Sequence, residues 1–202
     1  FIMIGIISYG LGNVASLSNA LKSLGYASYI IDRPDKFDQA EMIILPGVGS
    51  FNEAMKRLKN LGLDVGIKTF HESNKPVLGI CLGMQLFASK GYEGGEIAGL
   101  DLIPGRVERI VCDLKFPHIG WNNITVEKVD DALPVKANGA DYYFIHGYEF
   151  IPKNEKNVLA TVEYGHKIVS IIKKNRVMGF QFHPEKSQRA GLELLDYFIK
   201  YA

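Results

Sequence analysis

Cysteine is scarce in this 202-residue sequence, with Cys81 and Cys112 the only two. Two thiols make no disulfide framework, and with only five histidines the chain shows no zinc-ligand spacing, so a reducing cytoplasmic setting without a metal is expected. Charge of one sign is also missing. Lys and Arg total 23 against 22 Asp and Glu, with no long run of either sign, which argues against nucleic acid or an anionic membrane as the main partner. No apolar run approaches the roughly 20 residues that span a bilayer. The apolar opening, Phe1 to Ile7, lacks a basic flank and a small-residue cleavage site, so it reads as a buried first strand rather than a leader. Phe1 and Ile2 precede the first methionine, and the natural chain is expected to begin at Met3. Repeats, low-complexity tracts and linkers are absent as well. With 47% apolar residues, the remaining expectation is one domain over residues 3–202 with a real core.

Within that domain short apolar runs alternate with helical periodicity. Met3 to Tyr9 is strand-like, and Val14, Leu17, Leu21 and Leu24 then recur at helical spacing until Gly25 supplies the stop. Ala27 to Ile31 and Met42 to Leu45 follow as strands, the second closed by Pro46-Gly47. Helices are expected over Phe51 to Leu58 and Leu63 to Glu72, and a buried strand, Val77 to Ile80, then runs into Cys81. This order predicts an α/β fold with a mixed, largely parallel central sheet flanked by helices. From Arg106 the rhythm becomes β-rich: Arg106 to Ile110, Ile124 to Glu127, Tyr142 to Ile145, Val158 to Glu163, Ile168 to Ile172 and Val177 to Gln181. These segments are expected to extend the same sheet by antiparallel pairing. A final amphipathic helix carries Ala190, Leu194, Leu195 and Phe198.

Two glycine-framed turns compete for the chemistry. Gly10-Leu11-Gly12-Asn13-Val14-Ala15 follows the first strand and opens a helix, and Asp32 ends the second strand, which is the arrangement of a dinucleotide-binding turn. Any tight strand-to-helix turn also favours Gly and Asn, so these residues alone leave that reading open. The other turn, Gly79-Ile80-Cys81-Leu82-Gly83, has the pattern of a nucleophile elbow with cysteine in the serine place. An isolated pattern of this kind more often surrounds an inert buried cysteine, so it needs a base. Phe182-His183-Pro184-Glu185 supplies one: in extended backbone residues i and i+2 share a side, so Glu185 can hold one nitrogen of His183 and leave the other for the thiol. Attack on an amide also requires donors for the developing oxyanion. The N–H of Leu82 and one from the Pro46-Gly47-Val48-Gly49 turn, at Val48, are the candidates. His71 and His166 lack such partners and read as background.

Taken together, Pro46 to Gly49, Gly79 to Leu86 and Phe182 to Ser187 resemble the class I (triad) glutamine amidotransferases, over nearly the whole chain. Within that family, Pro117 to Asn122 and Tyr143 to Tyr148 are similar to the branch formed by the glutaminase subunits of imidazole glycerol phosphate synthase. The resemblance implies that Cys81 forms a thioester with glutamine while His183 moves protons and Glu185 orients it. It also implies that Gly47, Gln85, His146, Gly147 and Tyr148 form the substrate pocket, that no cofactor is used, and that the Gly10 turn binds no nicotinamide. Asn13, Trp121 and Lys186 match positions that dock on a (β/α)₈ cyclase, which receives the ammonia for histidine synthesis. A barrel of about 250 residues does not fit in this length, so that partner is expected on a second polypeptide. Gly147 departs from the pattern, since Ser or Thr is usual there, which keeps a paralogous branch that aminates surface sugars in play.

Overall fold

The computed structural model describes residues 2–131 and 133–202; Phe1, half of the expected extension before Met3, lies outside the described residues. The first half builds the parallel part of the sheet: β1 (Met3–Ile7), α1 (Val14–Ser23), β2 (Ala27–Ile31), β3 (Met42–Gly47), α2 (Phe51–Asn60), α3 (Leu63–Glu72), β4 (Val77–Cys81) and the single turn α4 (Leu82–Gln85). β1 pairs in parallel with β2 and β3, and β3 with β4. Helices cover both faces, so side chains on both faces of β1, β3 and β4 are buried. Ile4, Ile6, Ile44 and Leu78 meet α1 and the C-terminal helix, whereas Ile7, Ile43, Leu45 and Val77 meet α2 and α3. Each such side chain contributes about 1.5–3 kcal/mol by leaving water. Asn13 and Ser50 cap α1 and α2 by accepting from Ser16 N and Glu53 N, both at 3.3 Å.

The second half adds β5 (Lys90–Gly91), β6 (Ile97–Ala98), β7 (Gly105–Arg109), β8 (His118–Val126), β9 (Asp141–His146), β10 (Tyr148–Pro152), β11 (Val158–Glu163), β12 (Lys167–Lys174), β13 (Val177–Phe180) and α5 (Gln188–Tyr201). The main sheet has the order β2-β1-β3-β4-β13-β12-β11-β8-β9, mixed as expected, with β13 parallel to β4 and the strands beyond it antiparallel. One segment departs from expectation. Arg106 to Ile110 does not extend this sheet: β7 pairs instead with β10 and β5 in a separate four-stranded sheet, β10-β7-β5-β6. The main sheet's outer strands were already filled by β8 and β9, and β8 starts earlier than the apolar run at Ile124 suggests. Among the described residues no helix is long and apolar enough to cross a membrane.

This topology brings three strand ends together. Gly47 lies opposite Cys81 in the β3–β4 ladder, and Phe180 opposite Ile80 in the β13–β4 ladder, so the segments after β3, β4 and β13 leave the sheet side by side at its carboxyl end. Crevices at the carboxyl ends of parallel strands are where α/β sheets place their sites. β4 can turn into α4 here only because its neighbours meet no side chain. A Cβ at Gly83 would stand 1.7 Å from Leu45 O, and one at Gly79 would stand 2.7 Å from Gly83 O. Since the obstacle at Gly83 is backbone inside the sheet, it cannot move aside. Gly83→Ala is expected to lower unfolding free energy by ~1–3 kcal/mol or more in a denaturant titration, and an unchanged midpoint would contradict this packing account.

Candidate active site

The turn between β4 and α4 forces Cys81 into a backbone conformation that side chains rarely adopt, φ 54° and ψ −113°. Holding a non-glycine residue there costs of order 1–3 kcal/mol and is typical of sites where a side chain must be presented outward. The Cys81 sulfur faces Ile145 O at 3.7 Å, and Leu82 N–H, first in α4, has no intrahelical acceptor. Beside it, the segment leaving β13 carries His183 and Glu185. His183 Nδ1 lies 2.8 Å from Glu185 Oε1, with the two side chains only 2% and 4% exposed. A carboxylate oxygen accepts, so Nδ1 carries the proton and Nε2 is left toward Cys81. Nε2 is buried, and the sulfur of Cys81 is the group it interacts with. Burial alone would lower the His183 pKa, but hydrogen bonding and charge from Cys81 and Glu185 outweigh it and raise it to about 10.

A cavity of about 170 Å³ opens over the sulfur, lined by Val48, Gly49, Cys81, Leu82, Gln85 and the Ile145 to Tyr148 segment. Its size suits a small amino acid. Gln85 Nε2 donates to Tyr148 O at 2.9 Å and to Gln181 Oε1 at 3.0 Å, so both amide hydrogens are committed and only the oxygen remains to accept. Gly47 sits behind the cavity, where a Cβ would meet the Tyr9 hydroxyl at 2.4 Å and Leu82 Cβ at 3.0 Å. Val48 is 39% exposed at the cavity edge. His146 lines the wall with Nδ1 2.9 Å from Tyr148 O, and burial lowers its pKa to about 3, so it is a neutral wall residue. The Gly147 departure has a steric cause: a Cβ there would lie 2.6 Å from Phe116 Cζ, so the Phe116 ring occupies the space of the usual side chain.

Tyr9 went unnoticed in the sequence, where it only ended a strand. Its buried hydroxyl donates to Pro46 O at 3.0 Å and so fixes the turn that leads to Val48. Burial, then the nearby Cys81 charge, raises its pKa well above the usual phenol range, which keeps it a donor. The competing glycine turn also finds its explanation here. Gly12 stands at φ 124°, a conformation that side chains rarely adopt, where its turn runs beside the backbone of Pro46 and Gly47, so the bend of the turn accounts for the glycine. Asp32 pairs with Lys36 at 2.8 Å instead of facing that turn.

The three residues matched to a docking face lie just before α1, in β8 and after β13. Asn13 is half-buried at the start of α1, Lys186 is exposed, and Trp121 is 49% exposed with its ring edge-on to Tyr143 at 5.9 Å. The Tyr143 backbone holds the turn bearing the base, through His183 N to Tyr143 O at 3.0 Å and Tyr143 N to Ser187 Oγ at 2.9 Å. Any load on Trp121 is thus two contacts from His183.

A family model for glutamine amidotransferase class-I matches residues 6–200. The chain is similar to imidazole glycerol phosphate synthase subunit HisH of Moorella thermoacetica, 44% identical over 195 residues covering 96% of this chain and 93% of that protein. The protein of the same name from Aquifex aeolicus is 42% identical over 198 residues, covering 98% and 96%. Among solved structures, a glutamine amidotransferase superposes with TM-score 0.78 at 21% identity, covering 98% of this chain and 97% of that one. A chain in the structure of PurLQS from Thermotoga maritima gives TM-score 0.78 at 18% identity and covers 98% of both. At those identities the structural likeness is one of fold.

The position of His183 between Cys81 and Glu185 is open to measurement. Histidine-labelled NMR should place its titration far above the ordinary imidazole value near 6.5. Cys81→Ala removes one partner and leaves the burial, so the midpoint should fall; a midpoint that does not move would contradict the coupling.

Proposed function

The chain belongs to the class I glutamine amidotransferases, and from that premise we propose that it is the glutaminase subunit of an imidazole glycerol phosphate synthase. The observation that carries this reading is the buried succession Cys81, His183 and Glu185 on the floor of a cavity sized for one amino acid. Cys81 Sγ attacks the side-chain carbonyl carbon of glutamine, and the carbonyl electrons move to oxygen. The N–H groups of Leu82 and Val48 hold that oxyanion, where one well-placed donor is worth on the order of 10²–10³ in rate. His183 Nε2, holding the proton that Cys81 gives up, passes it to the amide nitrogen, the C–N bond breaks, and ammonia leaves a glutamyl thioester on Cys81. A water molecule attacks the thioester while His183 Nε2 takes its proton. The C–S bond breaks, glutamate is released, and the proton on His183 is left shared with the Cys81 sulfur as at the start. Glu185 keeps the ring in one tautomer through both half-reactions and offsets its charge. Gln85, Gly47, His146, Gly147 and Tyr148 hold the substrate, with the free oxygen of Gln85 available to a substrate N–H.

The ammonia is used by a cyclase partner, which we propose is a (β/α)₈ barrel seated on Asn13, Trp121 and Lys186, with the pair working in the cytoplasm as one unit of histidine synthesis. The relatives named above as synthase subunits support this pairing, as does the linkage from Trp121 through Tyr143 to His183. The synthase subunits at 42–44% identity over nearly the whole chain favour this branch over the sugar-aminating one. Cys81→Ala should abolish glutamine-dependent synthesis by the reconstituted pair, a fall of at least about 10³-fold, while synthesis from added ammonium persists. Glutamine-dependent turnover that survives the substitution would overturn the proposal.

A further inference from the structure

Beside the triad lies a pair of buried imidazoles, of which the proposed function uses only His146, as a wall of the pocket. His118 and His146 face each other across the β8–β9 ladder and are 3% and 6% exposed. His118 Nδ1 is 3.0 Å from His146 Nε2, and His146 Nδ1 is 2.9 Å from Tyr148 O. One end of this chain dictates every proton in it. A backbone oxygen only accepts, so His146 carries its proton on Nδ1 and turns a lone pair outward at Nε2; His118 must therefore donate from its own Nδ1. Both rings are neutral, since burial lowers His146 to about 3 and His118 to about 4. Were His146 charged, two N–H groups would confront each other.

The far end of the chain is the pocket. Tyr148 O also receives Gln85 Nε2 at 2.9 Å, and the other amide hydrogen of Gln85 goes to Gln181 Oε1. Gln85, His146 and Tyr148 all line the cavity over Cys81, whereas His118 does not reach it. His118 is instead clamped between two aromatic rings, with centroids 3.9 Å from Tyr164 and 4.8 Å from Phe144. Remove its donor and only Tyr148 O still holds His146 to one tautomer, while His146 Nε2 is left a buried acceptor without its partner; a flip to Nε2–H then withdraws a hydrogen bond from Tyr148 O. With that carbonyl free to move, the Gln85 amide can rotate and offer the substrate a donor where it now offers an acceptor.

We propose that His118 is a positioning residue of the glutamine pocket, acting through His146 and the Tyr148 carbonyl to fix the face that Gln85 presents. This rests on the glutaminase reading and deepens it: His118 governs how well glutamine is held and leaves the reactivity of the thiol alone.

Two substitutions separate positioning from mere packing. His118→Phe keeps a ring in the aromatic clamp and loses the donor, whereas His118→Asn loses the ring and keeps an N–H close to the Nδ1 position. The full chain is inactivated with 6-diazo-5-oxo-L-norleucine, a glutamine analogue, and in parallel with iodoacetamide, a small electrophile that does not need the pocket. Modification of Cys81 is followed by peptide mass spectrometry, which separates it from Cys112. Positioning predicts that His118→Phe raises the half-saturating analogue concentration about tenfold, that His118→Asn stays within about twofold of the parent, and that iodoacetamide rates are alike in all three. Phenylalanine behaving like the parent, or asparagine being the more impaired, would overturn the proposal. Should His118→Phe not fold, His118→Leu supports the same comparison with asparagine. If the parent chain reacts with iodoacetamide but never saturably with the analogue, the glutaminase reading fails, and the role of His118 falls with it.

Discussion

Cys81 occupies its positive-φ backbone because β4 must hand over to α4 where Leu45 O stands against Gly83 and the Gly83 carbonyl stands against Gly79. A relaxed turn would need room that the β3–β4–β13 ladder does not leave. The strain is of order 1–3 kcal/mol, and burial of a single strand residue such as Ile80 or Phe180 offsets a comparable amount. Rigidity at this turn therefore comes from the hydrophobic sheet behind it. The same constraint points the sulfur out of the sheet, sets Leu82 N–H free at the start of α4, and puts the β13 exit within reach.

Electrostatics complete what the backbone begins. His183 is buried, which by itself opposes its charged form, and is charged all the same because Cys81 and Glu185 flank it. That arrangement is costly for a fold and useful for proton transfer. Glu185 Oε2 is buried without a hydrogen-bond partner among the described residues, a group that selection for stability alone would satisfy. By contrast His118 and His146 are buried neutral, in a chain of fixed proton positions. The His183–Glu185 pair and the His118–His146 pair thus serve opposite ends, one able to move a proton and the other able to keep protons still.

Much of this was legible in the sequence wherever the signal was local. The continuous apolar runs at Met42 and Val77 gave parallel strands, the glycines around Cys81 gave a sharp turn, and Glu185 two residues after His183 gave a hydrogen-bonded pair. Contacts that depend on strand register were not legible. His118 and His146 are 28 residues apart and meet only because β8 and β9 pair in one particular register. Tyr9 finds Pro46 O through the β1–β3 neighbourhood, and Gly12 finds Pro46 by the same route. The small sheet escaped notice because β5 and β6 have two residues each, too few to show a period. Gly147 was readable as a departure but not as half of a pair, since Phe116, which fills its space, lies on another loop.

The central claim is that Cys81 becomes covalently acylated by glutamine within this pocket. Acid quenching of the chain during reaction with glutamine, followed by mass spectrometry of its peptides, tests that claim most directly. The account predicts one glutamyl group on the peptide holding Cys81, released by hydroxylamine and missing from Cys81→Ala. Ammonia formed from glutamine with no adduct on Cys81, or with the adduct on Cys112, would contradict it.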